Sequence, residues 1–212
     1  MTTNSTKFPY ICLGFYLLVV ALCAINPHDL TVFFAEIIPI WVIVGLIIWA
    51  SRYHRFSNTA YALMTVLPVM HTIGAHFTFE LVPFDWVTNT FNFERNHYDR
   101  VGHFAVGFFA YAMAEAAAAN QLVRTRTLVL GLPVVTVLAI AGLYEILEWI
   151  WAINADPTAG AAVLGSQGDI WDAQKDMLAD TLGAVFAVTL FAALPRNKPL
   201  LDKAKQPLDQ PQ

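Results

Sequence analysis

The chain has 212 residues, 57% of them hydrophobic and only 13% charged, with a mean hydropathy of +0.53; a soluble domain carries about 25% charged residues, so that class is excluded. The net charge of −4 is modest and points away from nucleic acid. The two cysteines, Cys12 and Cys23, both lie in the first apolar run and offer neither a disulfide framework nor a thiolate metal site.

Six apolar runs follow one another at about 8–25, 33–50, 59–82, 101–119, 128–152 and 176–194. Each approaches the roughly 20 residues that cross a hydrocarbon core of about 30 Å. They predict an all-α, polytopic membrane protein: a six-transmembrane-helix bundle over residues 1–195. A polar, proline-punctuated tail over 196–212 should be disordered. Before the first run the only charge is Lys7. No small-x-small cleavage site follows it, and Leu22 precedes Cys23, so it reads as a spanning helix rather than a signal peptide. Pro39, Pro68 and Pro133 sit inside runs and read as packing kinks.

The connections alternate in charge. Lys7, Arg52, Arg55, Arg124, Arg126, Arg196, Lys198, Lys203 and Lys205 fall on one side, and Arg95, Arg100 and Lys175 on the other. The positive-inside rule puts the first group, and with it both termini, in the cytoplasm. The longer loops then face outward, flanked by the interfacial aromatics Trp86, Tyr98, Trp149, Trp151 and Trp171.

Acids and histidines gather in the outer halves of the last four runs. The third carries His71, His76 and Glu80. The fourth opens with Asp99 and His103, the fifth ends with Glu145 and Glu148, and the sixth follows Asp169 with Asp172, Asp176 and Asp180. An ionised group at the bilayer centre costs about 2.5–3.5 kcal/mol and marks function by default. Asp99 and His103, Glu145 and Glu148, and Asp172, Asp176 and Asp180 are spaced by three or four, on one helical face in each case. His103, Gly107, Tyr111 and Glu115 also step by four, a stripe expected to face the bundle. His71 and His76 are five apart and point different ways, and depth favours His76. Structural roles compete at several positions: Asp172 as a helix cap, Asp99 as a cap or a partner of Arg95 or Arg100, Glu148 as a solvated group, and Lys175 as a counter-ion.

The stretch opening with Asp99-Arg100-Val101-Gly102-His103-Phe104, continuing through Glu145, and closing with Asp176-Met177-Leu178-Ala179-Asp180-Thr181-Leu182-Gly183 resembles the YjdF family of bacterial inner-membrane proteins over most of the chain. More distantly, over the last three runs, it resembles the VanZ-like family. That motif carries over to Asp99, His103, Glu145, Asp176 and Gly183, with three departures: Arg100 for Lys, Asp180 for Asn, and no Arg in the loop Gly165-Ser166-Gln167-Gly168-Asp169. The resemblance implies a bacterial inner-membrane location but no reaction. The lost cation and gained acid point to a bound cation.

Three readings stay open. In a membrane enzyme, Glu145, Asp180, Asp176 and His103 are the catalytic candidates. The same four would hold a divalent metal ion, and Asp99, Glu148, Asp172, His76 and Glu80 are further candidates. The substrate would be a lipid or a lipid-linked molecule, membrane lipids being the expected partners, under a cover formed by the loop over 156–168. The alternatives are a transporter or ion pathway, and a non-catalytic structural protein whose acids satisfy one another.

Overall fold

The computed structural model describes residues 7–164 and 166–204, and every regular element among them is helical. In chain order these are α1 (Phe8–Cys23), α2 (Leu30–Ala50), α3 (Asn58–Phe77), α4 (Asp85–Phe91), α5 (Tyr98–Val106), α6 (Phe109–Ala119), α7 (Arg126–Asn154), α8 (Pro157–Leu164), α9 (Asp172–Ala193), a 3-10 turn (Pro195–Asn197) and α10 (Lys198–Lys203). Among the described residues, four stretches are long and apolar enough to cross a membrane: Leu30–Ala50, Tyr98–Ala119 (α5 with α6), Arg126–Asn154 and Asp172–Ala193. Helix α1 is apolar but has 16 residues, and α3 is more polar, with Thr65, His71, Thr72 and His76 along its 20 residues.

The bundle is built around two interior helices. Helix α3 packs on α1, α2, α5 and α6, while α9 packs on α5, α6 and α7. Large apolar side chains such as Leu18, Trp41, Val135 and Ile146 point outward, while the seam of α5 and α6 against α9 is made by small residues. This is the inverse of a water-soluble core and the normal state of helices in lipid, where close backbone packing replaces the hydrophobic effect. The tightest approach is Gly107 against Gly183. A Cβ on Gly107 would collide with the backbone of Gly183 and Ala184, and one on Gly183 with the carbonyl of Phe104. Alanines continue the contact at 110 and 114 on α6 and at 184 and 187 on α9, all buried.

The sequence expectation differs from the structure most in three places. The fourth run is two helices, because Ala105, Gly107 and Phe108 accept i+3 hydrogen bonds at 3.0–3.2 Å and tighten the chain at Gly107. The third run stops at Phe77, not 82. Thr78 and Phe79 are both left-handed (φ 55° and 56°), which folds the Phe79 ring onto Gly74, where a Cβ would clash with it. The expected tail begins as ordered structure. The 3-10 turn and α10 return to the bundle, burying Leu201, and Asn197 Nδ2 donates to Tyr111 Oη (3.0 Å) and to the Phe191 carbonyl (2.9 Å). Positions 205–212 of that tail lie outside the described residues.

The bundle thus has a basic end, with Arg52, Arg55, Arg124 and Arg196, and an acidic end, with the long connections and their short helices α4 and α8. The stripe predicted along the fourth run faces inward over its length. Tyr111 Oη also accepts from Arg196 Nη2 at 2.8 Å, and Glu115 accepts from Ser57 N (2.6 Å) and Ser57 Oγ (2.5 Å), fastening α6 to the N-cap of α3.

Candidate functional site

The glycine contact sets the register of the acidic end. One turn before Gly107 stands His103, and three residues before Gly183 stands Asp180. Backbone contact below them holds α5 and α9 close enough for these side chains to meet. Asp172, Asp176 and Asp180 step along one face of α9 and are all buried. Opposite them α5 presents Asp99, Arg100 and His103, and the preceding loop supplies Arg95.

The upper part of the cluster is an ion-pair network. Asp172 Oδ1 lies 2.5 Å from both Arg95 Nη1 and Arg100 Nη2. Arg100 Nη1 reaches the Asp172 carbonyl (3.0 Å) and Asp176 Oδ1 (2.6 Å), and Arg95 Nη1 also donates to the Ser166 carbonyl (2.9 Å). Lys175 Nζ donates to Asp169 Oδ2 at 2.6 Å; that bond, followed by the one from the Trp171 backbone N–H, holds the Asp169 carboxyl below the usual aspartate range. Gln167 and Asn96 exchange hydrogen bonds (3.0 and 3.1 Å), so the loop before α9 is tied to the loop before α5.

Deeper in, the imidazole of His103 is surrounded by carboxylates. Its Nδ1 is 3.2 Å from Asp180 Oδ2, and its Nε2 is 3.7 Å from both Asp99 Oδ1 and Asp176 Oδ1. An ionised Asp180 can only accept, which would put a proton on Nδ1; a neutral ring would then turn its Nε2 lone pair toward Asp99 and Asp176. One ligand atom from each of Asp99, His103 and Asp176 lies within 4.8 Å of the others, a spacing able to hold a metal ion. Asp180 is 1% exposed, and its Oδ1 has no hydrogen-bond partner among the described residues, an expensive state for a buried carboxylate.

Asp180 also borders a cavity of about 100 Å³, together with Asp99 and His103. Its far wall brings in Glu36 of α2 and His71 of α3, joined at 2.9 Å (Nε2 to Oε2), together with Glu148 of α7. Val163 and Leu164 of α8 form part of the lining, so the loop expected to cover the site contributes a short helix to its wall.

Of the residues singled out from the sequence, His103, Asp176 and Asp180 come together, with Asp99 as the third member of the metal-spaced group. Asp172 is held by two arginines and makes no side-chain cap bond. Glu148 lines the cavity, whereas Glu145, favoured for its depth, lines an open groove with Gly142, Trp149 and Met177 on another face of α7. Its Oε1 lacks a hydrogen-bond partner among the described residues. Depth was also a poor guide on α3. His76 Nδ1 bonds the Cys23 carbonyl at 2.7 Å, away from the cavity, and His71 enters it instead. Glu80 is exposed on a separate depression. Glu36 was missed. It is 3% exposed and the only charged residue in α2, and a lone acid inside an apolar run was the signal that could have found it.

No solved structure matches. The chain is 32% identical over 177 residues to the inner membrane protein YjdF of Escherichia coli (strain K12), covering 82% of this chain and 84% of that one. Residues 8–197 match the model of a family described as predicted membrane protein, DUF2238. The chain belongs to that family.

Proposed function

We propose that the chain is a six-span, multi-pass protein of the bacterial inner membrane, with both termini cytoplasmic, whose periplasmic end binds a divalent cation and acts on the head group of a lipid or lipid-linked substrate. Helices α1, α2, α3, α5 with α6, α7 and α9 are the spans, and the VanZ-like motif positions Asp99, His103 and Asp176 are the ligands. The observation that carries this reading is the doubly faced imidazole: Asp180 on Nδ1 and two carboxylates before Nε2. A carboxylate that orients the far nitrogen of a histidine is the usual outer-shell companion of a metal-bound imidazole. One nitrogen and two oxygen ligands suit manganese or zinc and leave positions open for water or a phosphoryl oxygen. A cation so placed would polarise that oxygen and lower the pKa of bound water. The Glu36–His71 pair across the cavity would then hold or accept a proton.

A cavity of about 100 Å³ is small beside the 300–1,000 Å³ of ordinary ligand pockets, which supports a head-group fragment rather than a whole lipid as occupant. Conduction through the bundle is the weaker reading. Below His103 the polar stripe meets the Gly107–Gly183 backbone contact, which has no room even for a methyl group.

The test is titration of chelator-treated protein in detergent with Mn²⁺ or Zn²⁺ by calorimetry. One saturable site is expected, abolished in His103→Ala and Asp176→Asn and retained in Glu145→Gln. Asp180→Asn should weaken it roughly 10- to 100-fold, as loss of an outer-shell partner does. Saturable binding unchanged in His103→Ala, or no binding in the parent protein, would refute the assignment.

A further inference from the structure

The basic end holds a second cavity that shares no lining residue with the acidic one among the described residues. Helices α1 and α2 each pack along α3, and between their basic-end halves lies a groove of about 500 Å³. Tyr16 of α1 and Pro68 of α3 lie at its deep end. From Tyr61 to Pro68 the α3 wall covers eight residues, a rise of about 10 Å along the helix. The walls between are apolar, formed by Leu13, Val44, Ile47 and Met64 among others.

The mouth has a different chemistry. Arg52 and Arg55, just beyond the end of α2, line it. Below them Tyr61 Oη donates to Ser51 Oγ at 3.0 Å, and that hydroxyl donates to the Ile47 carbonyl at 2.7 Å, a polar collar on top of an apolar shaft. Two guanidiniums over an apolar slot match the charge and polarity of a single kind of occupant, an amphiphile with an anionic head and a hydrocarbon tail. Guanidinium forks pair phosphate oxygens bidentately, and apolar walls have no such use for a free anion.

We propose that this groove is a binding site for an anionic phospholipid of the surrounding leaflet, its phosphate between Arg52 and Arg55 and one acyl chain between α1, α2 and α3. This rests on the spanning orientation of those helices and is independent of any metal at the other end.

The experiment is native mass spectrometry of the full chain released from detergent micelles, with phosphatidylglycerol and phosphatidylcholine added at equal concentration. Two basic residues at a membrane surface correspond to a preference of roughly 20- to 30-fold for the anionic lipid. The double variant Arg52→Gln/Arg55→Gln should bring that ratio near unity, while Arg124→Gln, another arginine of the basic end, should leave it intact. Leu13→Trp, which fills the shaft and keeps both arginines, should lose the bound lipid altogether. Circular dichroism confirms the fold of each variant. An equal ratio in the parent protein, a preference surviving in the double variant, or displacement of the lipid by millimolar inorganic phosphate would each overturn the proposal.

Discussion

Replacing Gly183 by alanine adds one methyl group to a buried helix contact, and the structure gives the consequence. The new Cβ would fall on the Phe104 carbonyl, far inside the roughly 3.5–4.0 Å at which non-bonded carbons rest, so α5 and α9 must part by roughly an ångström or more. Neither side of the contact is a flexible side chain that swings away; both are backbone. Overpacking of this kind costs about 1–3 kcal/mol. The effect reaches the acidic end because the displaced segment carries His103 and Asp180 within one turn of the contact. A shift of that size takes their 3.2 Å hydrogen bond out of range. The assay is thermal unfolding in detergent followed by circular dichroism, run beside the metal titration. Gly183→Ala should lower the midpoint and weaken the cation site together. Gly131→Ala on α7, where a Cβ meets none of the described residues within 4 Å, should do neither. A Gly183→Ala protein with parental stability and parental metal affinity would refute the argument that this contact sets the site.

The buried Glu36–His71 pair allows a cycle of mutants. Glu36→Leu leaves a buried imidazole without its partner and should lower stability by about 1–3 kcal/mol, whereas Glu36→Leu/His71→Leu should recover much of the loss, since exchanging both members for apolar groups is often nearly neutral; additive losses in the melting assay would contradict this. The Asp169–Lys175 bond gives a pH signature. The Asp169 carboxyl is depressed, so its contribution is present above the ordinary aspartate range and lost as the pH falls through the folded value. The protection of the loop amides before α9, taken as the exchange rate relative to the intrinsic rate at the same pH, should therefore fall at acid pH in the parent protein, and Asp169→Asn should lower that protection at neutral pH and flatten its pH dependence; a variant with the parental profile would show that the bond does not restrain the loop.

How much could be read in advance follows from what is local. Hydropathy over 20 residues is a property of one segment, so the helical membrane class was legible, as was the common face of Asp172, Asp176 and Asp180, because a spacing of four is geometry within one helix. The inward stripe through His103, Gly107 and Tyr111 was legible for the same reason. The choice between Glu145 and Glu148, or between His71 and His76, depends on how a helix is rotated about its own axis, which its neighbours set. Packing turned Glu148 and His71 to the cavity and left Glu145 and His76 outside it. Glu36 joined from the second run because α2 lies against α3, a contact between segments that periodicity within either does not encode. The meeting of α5 with α9 likewise rests on two glycines 76 positions apart, and only their backbone contact makes one site of His103 and Asp180.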